Sequence, residues 1–246
     1  MMVDFIISPL RFSSQVEASA LMMIPNLEEP EAEKSNFSAF ALTPEQTHSC
    51  NVGIAKRRYD CFPDTDALIT FERDLPVGVH TADCVPIVIY AEDIPAVAAV
   101  HAGWKGTLNG IVDKTLDILF EHGDDPTKIF VVFGPSISQK SYEVDQSLAD
   151  EFIEAGFGEY VSSEFADKKK PHIDLQGVNA ERFRRRGIPE SNIKLSDSCT
   201  FDSKDSNGDY LYPSYRRNKT KKRMLTAVSL LDPAGYEKFR QRYYYL

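Results

Sequence analysis

In the stretch TADCVPIVIYAEDIPAVAAVHAGWKG, residues 81 to 106, a cysteine and a histidine stand near the ends of two adjacent apolar runs. Cys84 and His101 are of types that form disulfides, bind metals, pair as nucleophile and base, or simply pack. A third candidate, His48, lies in EQTHSC, a polar segment where a packed core histidine would be out of place. Two imidazoles and a thiolate are the ligand types zinc prefers in an open, catalytic site. The spacing of the three matches no zinc finger, whose paired ligands sit a few residues apart. Cys84 and His101 equally suit a cysteine–histidine pair in which the imidazole draws off the thiol proton. Residue type alone leaves ligand and nucleophile open. Cys61 and Cys199 read best as small buried hydrophobes.

The elements that must position these groups are legible as apolar runs. DALITF (66–71), VGVH (77–80) and VPIVIY (85–90) read as strands, and AVAAVH (96–101) as a strand buried on both faces. From 107 onward Leu108, Ile111, Val112, Thr115, Leu116, Leu119 and Phe120 recur at helical spacing, with Thr107 as N-cap and Gly123 as the stop. KIFVVFGPS (128–136) returns as a strand, so strand, helix and strand predict a parallel pair with a right-handed crossover. Ligands of open α/β sheets gather beyond the carboxyl ends of strands, where His101 and the Gly-Pro-Ser of 134–136 both fall. Cys84 sits at the turn leading into VPIVIY. Helical patterns at 145–155 and 176–186 cover the sheet, and NIKLSDSCT is a late strand region. If the strand through His80 and Cys84 were unbroken, the two would share a face, making His80 a rival ligand or a supporting hydrogen-bond partner.

A chain of 246 residues with 42% hydrophobic and 26% charged residues can bury a core without covalent staples. There is no repeat, and EEPEAEKSN (28–36) is short enough to be a surface loop, so one domain over 1–246 is expected. Four irregularly spaced cysteines do not form a secreted disulfide framework. MMVDFIISPLRF has an acid before its short apolar run and no small-residue cleavage site, so no signal peptide is expected. No apolar run approaches the roughly 18 residues of a membrane span, and the expected compartment is a reducing cytoplasm. A net charge of −9 opposes general nucleic-acid binding. In the basic stretch SYRRNKTKKR (214–223) the lysines read as a solvated strand end, whereas Arg216 and Arg217, beside aromatic residues, are suited to holding a small anion.

TADCVPI, HAGWKG, FGPSI followed by YEV, SCT and SYRR, in this order, resemble the laccase-domain family, once labelled multicopper polyphenol oxidases and now regarded as purine nucleoside phosphorylases. The resemblance runs from about Thr43 to Leu230. It implies one zinc held by His48, Cys84 and His101, in a single-domain α/β/β/α layered fold with mixed sheets, distantly similar to cysteine–histidine hydrolase-like toxins. It also implies small-molecule partners: phosphate and a purine nucleoside (adenosine, inosine, guanosine or methylthioadenosine), with deamination of adenosine as a side activity. Cys84, His101 and Asp83 are then the catalytic set, with Asp83 in acid–base work or orienting the metal's surroundings, and Arg216 and Lys105 supply positive charge to phosphate. The chain departs from the family pattern in FSSQVEAS, with Gln15 where an arginine is expected and no paired glycines, in Lys222 before Arg223, and in His80 at a usually apolar position. Copper-based phenol oxidation ranks low, because five histidines are too few for the usual copper set. Hydrolytic editing of cell-wall precursors and a non-enzymatic zinc-binding role are the remaining alternatives.

Overall fold

The computed structural model describes residues 6–10, 19–27, 41–164 and 170–230, the first two ranges by backbone alone. The FSSQVEAS departure up to Ala18 and the EEPEAEKSN loop lie outside the described residues.

The apolar runs form two sheets. In the larger, the strands β3 (Val52–Ala55), β4 (Ala67–Thr70), β6 (Val85–Ala91), β7 (Ala96–Ala102), β8 (Ile129–Phe133) and β11 (Ile193–Lys194) take the order β11-β8-β6-β7-β4-β3. In the smaller, β1 (Ile6–Leu10), β2 (Ser19–Leu27), β5 (Val77–Thr81) and β12 (Arg223–Leu230) take the order β1-β2-β12-β5. A two-stranded ribbon joins β9 (Val161–Ser162) to β10 (His172–Ile173). Helices α1 (Trp104–Leu108), α2 (Ile111–His122), α3 (Gln146–Phe152), α4 (Leu175–Arg185) and α5 (Tyr215–Asn218) complete the described elements used below.

β6 and β7 are buried at every position, so each face of the pleat must meet apolar partners. Ile87, Ile89, Ala98 and Val100 pack in one cluster with Ile111 and Leu116 of α2 and Val178 and Phe183 of α4. Val88, Tyr90, Val97 and Ala99 pack in the other with Val77, Val79, Val228 and Leu230 of the smaller sheet. The described layers are therefore helix, sheet and sheet, in a mixed α/β architecture.

β7 and β8 run in the same direction, as the strand–helix–strand pattern predicts, but they are not neighbours. Each pairs antiparallel with β6, which lies between them. The tight connection from Ala91 to Ala96 makes β6 and β7 a hairpin, and a hairpin strand takes the place beside its partner before any crossover returns. The predicted helix start is also corrected. Thr107 lies buried inside the short α1, and the long helix begins at Ile111 after Gly110, whose φ of 79° is left-handed. Gly123, at φ 107°, closes α2 as expected.

Other expectations shift in the same way. The late strand shrinks to Ile193–Lys194 plus an isolated bridge between Ser136 and Cys199. The basic stretch opens as a helical turn, with Ser214 Oγ accepting from the Arg217 N–H at 3.1 Å, and only Arg223 enters a strand. β5 ends at Thr81 and β6 begins at Val85 in the other sheet, so His80 and Cys84 do not share a strand face. Cys199 is buried as predicted but Cys61 is exposed, because its loop leaves the sheet between β3 and β4. All four cysteines are free thiols, and no described helix is long and apolar enough to cross a membrane.

Gly110→Ala tests the break between α1 and α2. A Cβ there would stand 2.9 Å from the Asp113 carboxylate on a left-handed backbone, so the variant should lose about 1–2 kcal/mol in chemical denaturation.

Candidate functional site

Because β6 is antiparallel to β7, the start of one strand and the end of the other reach the same edge of the larger sheet. The register pairs Val85 with Ala102 and Pro86 with His101, which brings Cys84, one residue before β6, opposite Gly103. His48 approaches from the 47–51 loop, its Nε2 at 3.8 Å from Cys84 Sγ. The His48 and His101 rings meet edge to face with centroids 4.9 Å apart. One donor atom each from His48, Cys84 and His101 lies within 4.8 Å of the others.

Gly103 permits this approach. A Cβ on it would stand 2.8 Å from His48 Cδ2 and 3.2 Å from Cys84 Sγ, inside the space the two side chains occupy. His48 itself is left-handed, with φ 63°, and Asp83, immediately before Cys84, has φ 92°. Non-glycine residues rarely adopt such backbone, and it persists where surrounding bonds enforce it.

The electrostatics follow from burial and contact. His101 is 3% exposed, and its Nδ1 lies 2.6 Å from Asp66 Oδ1. Burial opposes protonation of His101, but the neighbouring Cys84 thiolate and the Asp66 carboxylate outweigh it and hold the imidazole charged up to about 9. Burial likewise pushes the Cys84 thiol up, yet the imidazoles of His101 and His48 prevail and draw it down to about 6. His80 stands apart from the three donors: burial first, then the charges of Arg223 and His101, lower its imidazole to about 4. Its main chain instead holds the 46–48 loop, exchanging two bonds with the Gln46 side-chain amide at 2.7 and 2.8 Å.

The remaining sequence candidates separate into different roles. Asp83 is 8% exposed, and both its oxygens accept from the protein: Oδ1 from Thr200 Oγ1 at 2.7 Å and Oδ2 from the Arg216 N–H at 2.6 Å. It joins the start of β6 to the SCT and SYRR segments. Arg216 donates from Nη1 to the Glu143 carbonyl at 2.7 Å, and its guanidinium lies 5.0 Å from the Tyr142 ring centroid. Arg217 is occupied structurally, donating to the carbonyls of Thr200, Phe201 and Tyr212 and stacking 3.7 Å over Tyr210. Of the two adjacent arginines, Arg216 spends one guanidinium bond on the described residues and Arg217 three. Lys105 is exposed, with Nζ 5.5 Å from the Trp104 ring.

Three residues of the site carried no role in the sequence reading. Asp66 opened an apolar run as DALITF and is fully buried; an acid abutting three buried apolar residues, Ala67, Leu68 and Ile69, was the available signal. Tyr142 stood inside a motif. Its hydroxyl, pushed up by burial and by the charge of Cys84, makes no hydrogen bond to the described residues and stays protonated at neutral pH. Gly103 was likewise hidden within HAGWKG.

The donor set fits a metal. Tetrahedral zinc with bonds of about 2.0–2.3 Å needs donors roughly 3.5 Å apart, and the 3.8 Å between His48 and Cys84 is close to that. Among the described residues this is the one group of three histidine, cysteine or acidic side chains so placed.

A sequence profile described as multi-copper polyphenol oxidoreductase laccase matches residues 26–231. A protein of Aquifex aeolicus (strain VF5) named purine nucleoside phosphorylase is 38% identical over 166 residues, covering 68% of this chain and 71% of that protein. One named adenosine deaminase RL5, from an unknown prokaryotic organism, is 33% identical over 167 residues, 64% of each chain. Another purine nucleoside phosphorylase, from Bacteroides thetaiotaomicron, is 35% identical over 169 residues, 64% of this chain and 63% of that one. The chain thus spans just under two thirds of the length of these last two relatives. The fold is shared with a solved Neisseria meningitidis protein, NMB0706, at TM-score 0.76 and 22% identity over 93% of this chain and 99% of that one. It is also shared with the Bacillus licheniformis hypothetical protein YfiH, at TM-score 0.73 and 23% identity over 86% and 92%.

In metal-free protein, the lowered Cys84 thiol sets a pH dependence. Because the thiolate is the reactive form, alkylation of Cys84 by iodoacetamide should be near its plateau at pH 7 and fall as pH drops through about 6. Peptide mass spectrometry across pH reads this, and a midpoint near 9 would contradict the thiolate assignment.

Proposed function

The chain belongs to the multi-copper polyphenol oxidoreductase laccase family, and from that premise we propose that it is a zinc-dependent purine nucleoside phosphorylase with adenosine deaminase activity. The observation that carries the proposal is the convergence of His48, Cys84 and His101 at one sheet edge, with the Arg216 main-chain N–H held by Asp83, the residue beside Cys84. The relatives named purine nucleoside phosphorylase and adenosine deaminase support the substrate class. The histidines argue against a multicopper centre, which needs many imidazoles. His122 and His172 each hold a main-chain carbonyl through Nδ1, of Ile118 and Gln139, and His80 lies outside the three-donor group.

In this reading His48, Cys84 and His101 would hold zinc, which would supply a Lewis acid. The lowering of the Cys84 thiol to about 6 by His101 and His48 favours the thiolate form that a metal ligand needs. Arg216 holds phosphate. Its backbone is pinned by Asp83 and one Nη by Glu143, leaving the other guanidinium donors aligned for oxygen acceptors. Phosphorolysis then forms a bond from a phosphate oxygen to C1′ of the ribose and breaks the C1′–N bond, and the purine leaves with a proton. Tyr142, protonated and beside Arg216, is a hydrogen-bond donor within that region. Deamination of adenosine uses water at C6 in place of phosphate at C1′, and ammonia departs. Adenosine, inosine, guanosine and methylthioadenosine are the nucleosides proposed, with Lys105 at most an outer attraction for phosphate given its exposure.

Two measurements test the proposal. Inosine should release hypoxanthine only when phosphate is present, and chelator dialysis should abolish this until zinc is restored; full turnover in a demonstrably zinc-free sample sinks the metal reading. Arg216→Ala should raise the KM for phosphate by about 10-fold or more, as expected for losing a charged hydrogen bond of about 1.5–3 kcal/mol, while the melting temperature moves little. An unchanged phosphate KM removes Arg216 from the site.

A further inference from the structure

Asp66 touches both histidines of the donor set without belonging to it, His101 at its ring and His48 at its main chain. Its Oδ1 accepts from His101 Nδ1 at 2.6 Å and from the His48 N–H at 3.1 Å. Its Oδ2 accepts from the N–H groups of Thr47 (3.1 Å) and Ser49 (2.7 Å) and from Ser49 Oγ (2.8 Å). Its own carbonyl accepts from the His101 N–H at 2.8 Å. Three successive main-chain N–H groups, of residues 47, 48 and 49, therefore wrap one fully buried carboxylate, an arrangement that binds anions strongly. The left-handed φ of His48 belongs to this wrap, and it turns the imidazole outward to Cys84.

We propose that Asp66 is the positioning residue of the metal centre, one carboxylate that orients His101 through its ring and His48 through its main chain. The inference rests on His48, Cys84 and His101 holding a metal. With the carboxylate on Nδ1, the His101 proton is fixed there and only Nε2 is left for a metal. With three N–H groups on the same carboxylate, the His48 loop has one conformation in which its Nε2 meets Cys84. The neighbouring Asp64 reinforces that loop, accepting from Thr47 Oγ1 and, through its carbonyl, from Asn51 Nδ2 at 2.6 Å. Every group facing the Asp66 carboxylate is a donor, so an amide of the same shape must set its NH2 against another donor.

Asp66→Asn should therefore loosen both imidazoles while leaving all three ligands in place. Titration of the metal-free proteins with cobalt(II), followed by thiolate-to-cobalt absorption, should show affinity lower by about 10–100-fold in the variant, with the charge-transfer band from Cys84 restored at saturation. A folded variant that binds cobalt as tightly as wild type overturns the inference and leaves the metal centre standing. A wild-type chain that takes up no cobalt defeats the metal centre and the inference together. Should the variant fail to fold, long-range proton–nitrogen NMR of zinc-loaded wild type decides. His101 protonated at Nδ1 and metallated at Nε2 supports the inference; the reverse assignment overturns it.

Discussion

The antiparallel register of β6 and β7 is the constraint on which the site depends. Pairing Val85 with Ala102 sets Cys84 opposite Gly103, two residues along from His101. A slip by one residue would turn every side chain of the strand to the other face. The slip is opposed by the whole core, because Ile87 and Ile89 face the helices while Val88 and Tyr90 face the smaller sheet, and Val100 and Ala98 alternate with Ala99 and Val97 in the same way. The distance between thiol and imidazole is thus fixed by apolar burial far from either. Chemistry at the edge inherits its geometry from the hydrophobic alternation behind it.

That dependence explains what was legible in the sequence. β6, β7 and β8 are largely apolar runs and were readable as strands, and Gly123 was readable as a stop, because burial and a left-handed turn each leave a direct mark on residue type. Neighbour relations leave no such mark. That β6 separates β7 from β8 follows from a short hairpin connection competing with a helical crossover, which apolar periodicity does not record. Thr107 looked like a cap because threonine before a periodic run usually is one. Here Arg182 donates to the carbonyls of Thr107 and Leu108, closing a short helix that the periodic run concealed.

The site itself was half legible. His48, Cys84 and His101 were visible because their types are scarce and chemically distinctive, and the structure brings them together. Asp66 and Asp83 were not separable by type, since each is an acid next to an apolar strand. Their partners distinguish them. Asp66 collects donors from the 47–49 loop and His101, whereas Asp83 collects them from Thr200 and Arg216. Such partnerships link segments far apart in sequence, and no local pattern announces them. Sequence left Cys61 and Cys199 equivalent; they differ because one lies in an outward loop and the other beneath Ser138 and Ser141.

Two buried carboxylates thus divide the work of the sheet edge, and the division has a physical logic. A carboxylate that accepts several N–H bonds is held ionised, as Asp66 is: burial alone would raise it, but the bonds from His101 and Ser49 take it down to about 2. It therefore faces the His101 imidazolium as a fixed negative charge, and that imidazolium in turn lowers the thiol of Cys84. Along this line charge alternates in sign, so each group stabilises the ionised form of the next. On the other side of Cys84, Asp83 anchors the backbone of Arg216. Cys84 and Asp83 are consecutive, so a displacement of the β6 start moves the donor set and the guanidinium together. A reaction that needs an electrophilic centre and a held anion at a constant separation would draw both from one turn of backbone, and the left-handed φ at Asp83 is the conformation that lets adjacent residues point into the two halves.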